Sequence, residues 1–490
     1  MTSGGVPETS ASPLIIDLPD EAATVALAED IAARLMPGDV VALSGDLGAG
    51  KTTLARALIR AVADDAKLEV PSPTFTLVQT YATPRLSVAH FDLYRLSPDE
   101  LDEIGFADAP NHGAVLIEWP ERAGDQLPAE RLDVALALAG SGRRATVSGN
   151  GTVRSRFARS RTARALLDAD DWRGASRRHL QGDASTRTYE RIRAGGKSAV
   201  LMDWPARGQL TAGDPRAAFR AQGAATFVAV DSALAAAGLS VPAIYDTGDG
   251  FVLMEDFGNE GVVADDVPIV ARYEVALEAL AAIHAEPRPA GLPGHNLPRF
   301  TGDVLMAEVG IFADFYAPYI SRAPLPPEAR AELVALWRDL DAKLQQSEQS
   351  WVLFDVQSPN LFWLPGRAGI RRMGFIDFQD MFFGPAAYDV ASLCQDARVT
   401  VPPEVEDALV AHYIAARGPG FDADSFRSAY AIAGALRVAK ILGAFARLAG
   451  IGNGRYIRHL PRLRAYLARS LAAPVLSPFA LWYEKHLSLE

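Results

Sequence analysis

Cysteine is nearly absent: Cys394 is the single one in 490 residues. An internal disulfide is therefore excluded, and the chain suits a reducing compartment. An excess of basic charge is also missing. The formal net charge of −12 argues against bulk attraction to nucleic acid or acidic membranes. No uninterrupted apolar run reads as long enough to span a bilayer. Met1 to Pro13 is rich in Ser, Thr, Gly and Pro and lacks the apolar core of a signal peptide. Residues 1–12 therefore read as a disordered tail, and a soluble cytoplasmic protein is expected.

What is present is a globular composition, 49% hydrophobic and 22% charged, on a chain long enough for two or three domains. Glu21 to Leu35 carries apolar residues at helical spacing and ends at Pro37-Gly38. Val40 to Leu43 is a short apolar run, read as a buried strand. It leads into Gly45-Asp46-Leu47-Gly48-Ala49-Gly50-Lys51-Thr52-Thr53, a Gly-x-x-x-x-Gly-Lys-Thr loop followed by a helical stretch, Thr53 to Val62. The glycines let backbone N–H groups wrap phosphates. Lys51 supplies charge to the β- and γ-phosphates, Thr52 offers its hydroxyl to magnesium, and the helix N-terminus favours the anion.

Thr76 to Tyr81 and Leu86 to His90 alternate like a hairpin, and Ser97-Pro98-Asp99-Glu100 is a helix-start signal. Ala114 to Ile117 is another buried run, and Arg131 to Leu138 alternates as a last strand. A carboxylate at the end of a strand beside the phosphate loop commonly holds the metal or orients water, and Asp92 and Glu118 are the two candidates. The phosphate loop, Ser72-Pro73-Thr74-Phe75, His90-Phe91-Asp92-Leu93-Tyr94-Arg95 and Ile117-Glu118-Trp119-Pro120-Glu121, in that order, resemble the bacterial TsaE family. That family is the small ATPase of the machinery making threonylcarbamoyladenosine in tRNA. The resemblance implies Lys51 and Thr52 at phosphate and magnesium, Thr74 in a nucleotide-sensing segment, and Asp92 and Glu118 near the metal. It also implies partners, the TsaD- and TsaB-like transferase subunits of tRNA modification.

Seven arginines and no acidic residue lie between Arg143 and Arg164. Residues 143–161 read as an Arg-rich linker, either a partly helical connector or a basic arm for tRNA or an acidic partner surface.

The rest of the chain is organised around Trp351 to Asp380. Two apolar runs flank a polar loop, with Asp355 and Asn360 five residues apart on it and Asp377 after the second run. Transfer of phosphate from ATP needs a carboxylate near the acceptor hydroxyl and hard oxygen ligands for magnesium, and protein-kinase-like folds supply them in this order and spacing. Upstream, strands on either side of Gln181-Gly182-Asp183-Ala184-Ser185-Thr186 suggest a loop over ATP. Ser185, Thr186 and Arg187, with Glu255 on a later hinge-like strand, are the weaker ATP contacts. Gly195-Gly196-Lys197 reads as a hairpin turn, not a second phosphate loop. Asp256-Phe257-Gly258 precedes the catalytic loop and so cannot be the metal-binding triplet. His284 reads as a cap or core histidine. From Asp303 onward the pattern is mainly helical.

Gln181-Gly182-Asp183-Ala184-Ser185, Leu201-Met202-Asp203-Trp204-Pro205, Ser358-Pro359-Asn360-Leu361-Phe362-Trp363-Leu364, Asp377-Phe378-Gln379-Asp380 and Tyr388-Asp389-Val390-Ala391-Ser392-Leu393-Cys394 resemble the aminoglycoside phosphotransferase and choline kinase superfamily. Within it they look like the cell-wall amino-sugar kinases (AmgK), which phosphorylate the anomeric hydroxyl of N-acetylmuramate or N-acetylglucosamine in peptidoglycan recycling. The resemblance implies Asp355 as base and Asn360 and Asp377 as magnesium ligands; Asp389 reads as a cap or supporting group. The superfamily's usual His-Gly-Asp is here Leu353-Phe354-Asp355, and Met202 stands where a third-strand Lys is usual. Arg187 or Arg191 is the candidate substitute. A choline- or aminoglycoside-type kinase and a non-catalytic kinase-like scaffold are the rival readings. The expected architecture is an α/β P-loop NTPase domain, residues 13–142, followed by a bilobal protein-kinase-like (α+β) phosphotransferase domain, residues 162–490, with ATP and magnesium as cofactors.

Overall fold

The computed structural model describes residues 12–169, 171–180, 187–205, 223–452 and 454–487. The expected tail, apart from residue 12, and the candidates Ser185 and Thr186 lie outside the described residues. The chain divides into two compact units, one of Met1–Trp204 with Tyr245–Asp256, the other of Pro205–Ile244 with Phe257–Glu490.

The first unit holds two sheets. The larger contains β1 (Leu14–Leu18), β2 (Val40–Ser44), β3 (Val78–Tyr81), β4 (Val88–Asp92), β5 (Ala114–Glu118), β6 (Leu132–Ala139) and β7 (Gly142–Gly149), in the order β1-β7-β6-β2-β5-β4-β3. The central strands β6, β2, β5 and β4 are parallel, and β1, β7 and β3 are antiparallel additions. Val40, Val41, Ala42 and Leu43 are all buried, as expected of a parallel strand covered on both faces. Helices α1 (Glu21–Ala32) and α2 (Lys51–Ala63) pack on this sheet through Leu27, Ile31, Leu54, Leu58 and Ile59. The helix expected from Ser97 is only a tight turn, Pro98–Glu100, because Gly105 at φ 69 breaks the chain soon after.

The expected linker is not a linker. Residues 142–149 are β7, an added strand beyond the β6 expected to be last, and Gly151–Asp168 is an 18-residue helix, α3. Its arginines are engaged in ion pairs rather than presented as a basic arm. Arg156 pairs with Asp39, Arg159 with Asp203, Arg161 with Asp30, and Arg164 with Asp30 and Glu29. The acids come from α1, from its C-terminal side and from the second sheet, so no local charge balance announces them.

That second sheet is β8 (Ser176–Leu180), β9 (Thr188–Ala194), β10 (Lys197–Asp203), β11 (Ile244–Gly248) and β12 (Phe251–Glu255), ordered β11-β12-β10-β9-β8, with β8, β9, β10 and β12 pairing antiparallel in turn. It is joined to α1 through ions out of contact with water. Arg177 on β8 donates to Asp30 at 2.7 Å and to both oxygens of Glu190 on β9 at 2.7 and 3.0 Å. Arg34, just past α1, reaches Glu190 at 2.9 Å and Asp203 at 3.0 Å. Arg178 pairs with Glu29, and Arg85 donates to the Ala32 and Leu35 carbonyls at the end of α1, where a cation is favoured. Burial alone would push the Glu190 carboxyl up; Arg177 and then Arg34 overcome it and hold it at about 2.

The second unit is mainly helical: α4 (Ala224–Ala236), α5 (Val270–Ala285), α6 (Gly302–Ile311), α7 (Ala317–Ser321), α8 (Pro327–Gln346), α9 (Ala387–Cys394), α10 (Pro403–Ala416), α11 (Ala423–Gly450), α12 (Leu460–Leu471) and α13 (Ser477–Leu487). Two short hairpins carry the loop region: Gln349–Val352 pairs with Phe382–Pro385, and Leu361–Trp363 with Met373–Phe375. Two helical stretches, Gly302–Ser321 and Ala423–Gly450, are long and apolar enough to cross a membrane by length and composition, although charged residues interrupt both; 50% and 72% of their most apolar windows are buried inside the structure.

Replacing Arg177 by Met should leave the buried carboxylates of Asp30 and Glu190 each one partner short, held then only by Arg161, Arg164 and Arg34, and cost about 3–5 kcal/mol. The exposed Arg144–Asp17 pair should cost less than about 1 kcal/mol when Arg144 becomes Ala. Thermal melts of the two variants check the contrast. Because the Glu190 carboxyl lies near 2 when folded against 4.5 ordinarily, its contribution of about 3 kcal/mol is present above pH 4.5 and lost as pH falls toward 2. Arg177→Met should flatten that acid limb.

Candidate functional sites

In the first unit the phosphate loop follows β2 and opens α2. Gly45 has φ 133, and a Cβ there would meet the Leu136 carbonyl oxygen at 2.2 Å, so only glycine fits. Gly50, at φ 105, caps α2. Lys51 Nζ donates to the carbonyls of Gly45 and Asp46 at 2.7 and 3.0 Å and sits 3.5 Å from the Trp119 ring centre. Burial lowers its pKa, and Glu118, Glu121, Asp92 and Asp46 act against that. An open hollow beside the loop is lined by Asp20, Glu21 and Thr24 of the α1 start and by Gly50, Thr53 and Arg143.

The two candidate carboxylates stand side by side, since Asp92 and Glu118 are register partners on β4 and β5. Thr52 Oγ1 donates to Glu118 Oε2 at 2.9 Å. His90 Nε2 meets the other Glu118 oxygen at 3.0 Å. Thr74 Oγ1 donates to Asp92 Oδ2 at 2.6 Å, as does Ser72 Oγ at 3.2 Å. The segment around Thr74 is thus tied to the carboxylate beside Glu118. His90 and Trp119 were not singled out from sequence. His90 lies two residues before Asp92, so its alternation onto the face shared with Asp92 and its neighbour strand was a usable signal. Asp46, Leu47, Gly48, Ala49 and Thr53 are the remaining loop positions, of which Leu47 is 84% exposed.

In the second unit Asp355, Asn360 and Ile376 line one small cavity. Asn360 Nδ2 donates to the Asp355 carbonyl at 2.9 Å, and the Ile376 N–H donates to the Asn360 carbonyl at 3.0 Å. The pairing of Leu361 with Phe375 sets that register, so Asp377 arrives next to Asn360. Asp377 has φ 61 and accepts from Gln379 Nε2 at 2.9 Å. The Asp355 carboxyl is raised to about 6, first by burial and then by Asp377; Lys440 pulls the other way, Asp380 adds to the rise, and Arg437 opposes it. Asp389 is a supporting group: its oxygens accept the N–H groups of Leu353 and Phe354 at 2.7 and 3.0 Å. Its carboxyl is raised to about 7 by burial, against those two bonds. Asp396 likewise accepts the Ser358 N–H at 2.7 Å. Two buried carboxylates therefore hold the backbone of the loop where the superfamily's His is missing.

The other predictions fall as follows. Arg191 is committed to Asp256 at 2.8 Å, and Arg187 lies 5.0 Å from the Trp204 ring centre. Asp256 is thereby an ion-pair partner. Glu255 ends β12 opposite Ala199, and Met202 is buried on β10. His284 is a core residue, its Nδ1 2.9 Å from the Tyr413 hydroxyl, with burial lowering its pKa to about 3.

Among the described residues no three His, Cys, Asp or Glu side chains gather to hold a metal by themselves. The donors suit magnesium all the same: Thr52 with the adjacent Glu118 and Asp92 in one unit, Asn360 and Asp377 in the other, are hard oxygens that leave positions for phosphate and water. The Asn360 amide nitrogen is used on the Asp355 carbonyl, so its oxygen is the atom that could face a metal.

The profile of the family described as threonylcarbamoyl adenosine biosynthesis protein TsaE matches residues 18–146, and that of the phosphotransferase enzyme family matches residues 176–427. An N-acetylmuramate/N-acetylglucosamine kinase of Caulobacter vibrioides is 35% identical over 354 residues, covering 66% of this chain and 96% of the relative. A tRNA threonylcarbamoyladenosine biosynthesis protein TsaE of Rickettsia felis is 47% identical over 105 residues, 21% of this chain and 61% of the relative. The protein of that name in Rickettsia typhi is 39% identical over 128 residues, 26% of this chain and 88% of the relative.

Replacing Lys51 by Ala should lower ATP hydrolysis at the first site about a hundredfold or more, measured as phosphate release by the full chain without acceptor. Replacing His90 by Phe, which leaves the Glu118 carboxylate without its buried partner, should lower the same rate about tenfold.

Proposed function

Because this chain belongs to the TsaE family in its first part and to the phosphotransferase enzyme family, with the N-acetylmuramate/N-acetylglucosamine kinases, in its second, we propose that it is a bifunctional enzyme. The first site hydrolyses ATP in step with TsaD- and TsaB-like subunits of the tRNA-modifying machinery. The second transfers the γ-phosphate of ATP to the anomeric hydroxyl of N-acetylmuramate, N-acetylglucosamine or both, in peptidoglycan recycling. A cytoplasmic location follows from the ATP and tRNA chemistry.

At the first site the loop amides and Lys51 bind the β- and γ-phosphates. Thr52, with Glu118 and Asp92 beside it, would hold magnesium. Thr74, bonded to Asp92, reports the state of the γ-phosphate to the rest of the switch segment. Glu118, fixed by His90, orients the water that attacks.

At the second site Asp355 accepts the proton of the acceptor hydroxyl as that oxygen attacks the γ-phosphorus. Burial lifts Asp355 toward the pH at which a carboxylate can take a proton without being protonated beforehand. Asn360 and Asp377 would hold magnesium, which neutralises charge on the transferring phosphoryl group. Asp389 keeps Asp355 in place through the two N–H groups it receives. Position and electrostatics carry the reaction, with no covalent intermediate. The observation that carries this reading is the bonded hairpin that brings Asp355, Asn360 and the segment before Asp377 together.

Incubation of the full chain with ATP and each amino sugar should give a sugar phosphate that no longer reduces copper. Asp355→Asn should slow that transfer about 10²–10⁴-fold and leave acceptor-independent ATP hydrolysis unchanged; Lys51→Ala should do the reverse. A product that stays reducing would move the phosphate off the anomeric position. Transfer to choline or an aminoglycoside in place of amino sugars would establish the rival kinase reading, and no transfer to any of them would leave the scaffold.

A further inference from the structure

Two helices of the second unit place an ion pair beside the proposed base. Glu308 is on α6 and Lys440 on α11, and Lys440 Nζ lies 2.8 Å from Glu308 Oε1. The approach of the helices is set one turn further along each. A Cβ at Gly443 would meet the Ile311 carbonyl oxygen at 2.5 Å, so glycine there lets α11 come close. Residues three apart share a helix face, so Gly443 and Lys440 face Ile311 and Glu308.

Three observations go beyond what holding the fold requires. Glu308 Oε2 is buried without a hydrogen-bond partner, while its side chain is only 4% exposed. A buried carboxylate oxygen in that state is costly unless something supplies a donor. Lys440 is 24% exposed, so the pair opens to solvent. Its ammonium also sits 4.2 Å from the ring centre of Phe354, the residue before Asp355. Phe354 itself has φ 76, a backbone state that a bulky residue adopts at a cost of about 1–3 kcal/mol. It stands where the superfamily's usual pattern has glycine. The ring is held by Tyr388, stacked at 5.6 Å, and by Phe382, edge-on at 5.7 Å. An aromatic ring retained at a glycine-type position, beneath a cation tied to an unsatisfied carboxylate, reads as a platform.

We propose that Glu308 and Lys440, seated on Phe354, form the subsite that grips the acceptor sugar. Glu308 Oε2 accepts a hydrogen bond from a hydroxyl or amide N–H of the acceptor, and Lys440 donates to one of its oxygens. The sugar is thereby held with its reacting hydroxyl toward Asp355. The inference rests on the sugar-kinase reading of this site and deepens it.

The test uses the full chain and varies ATP and amino sugar separately. Glu308→Gln should raise KM for the amino sugar about ten- to hundredfold, with KM for ATP unchanged. Lys440→Met alone strands a buried carboxylate and can unfold the unit; the Glu308→Gln/Lys440→Met double variant leaves no orphan charge and should show an acceptor defect at least as large as Glu308→Gln alone, again with KM for ATP unchanged. Phe354→Gly relieves the positive φ but gives up the ring's contacts with Tyr388 and Phe382; it should raise acceptor KM with KM for ATP unchanged. Among acceptor analogues each lacking one hydroxyl or the amide N–H, one should bind the unaltered protein as weakly as Glu308→Gln binds the parent sugar, and should lose nothing further in that variant. An unchanged acceptor KM, a defect equal for ATP and sugar, or additive losses for every analogue would overturn the subsite while leaving the kinase reading intact. Absence of any amino-sugar phosphorylation by the unaltered protein would overturn both.

Discussion

The first unit depends on the carboxylates at the C-terminal half of α1. Asp30 receives Arg161, Arg164 and Arg177, while Glu29 receives Arg164 and Arg178. Charges removed from water this completely are costly unless each finds several partners at hydrogen-bond distance. Here they do: Arg177 spreads its donors over Asp30, Glu190 and the Ser160 carbonyl. Such a network contributes less through net energy than through uniqueness, since any slip of β8 against α1 would strand at least one ion in a dry interior. It also explains how a five-stranded sheet with few residues of its own in a core can be stable. That sheet's apolar cluster is small, built on Ala163, Leu167, Ile192, Leu201, Phe251 and Leu253, and α3 supplies two of those six.

α1 consequently serves both sheets. Asp20, Glu21 and Thr24 at its start border the hollow beside the phosphate loop, and its other end grips β8 and β9. The strands that begin the kinase-like half belong to the same compact unit as the phosphate loop. A chain read as two enzymes in series is built, in three dimensions, with its division elsewhere.

How much of this could be read beforehand follows from how local each constraint is. The phosphate loop was legible in full because its chemistry is one of backbone conformation, and Gly45, Gly48 and Gly50 all sit at positive φ. Asp355, Asn360 and Asp377 were legible because a short hairpin register converts their spacing into proximity. Asp92 and Glu118 were narrowed to strand ends and left there, since nothing in the sequence states that β4 and β5 are neighbours. The arginines from Arg143 to Arg164 were misread for the same reason in a stronger form. Their partners lie more than a hundred residues upstream or on a later sheet, and a run of one charge sign looks solvated until its counter-ions are placed. Glu308 and Lys440 had no signal at all; each is one of the charged residues in a largely apolar helix, and only the close approach at Gly443 brings them together.

The two departures in the kinase-like half then take on different weights. The absent His before Asp355 is offset by Asp389, which holds Leu353 and Phe354 through backbone N–H groups that no side-chain identity can remove. The absent third-strand Lys has no such replacement at its own position: Met202 is buried against apolar neighbours, and Arg191 is bound to Asp256. Within the second unit, the bonds Asn360–Asp355 and Gln379–Asp377 fix the two side chains proposed to face the metal.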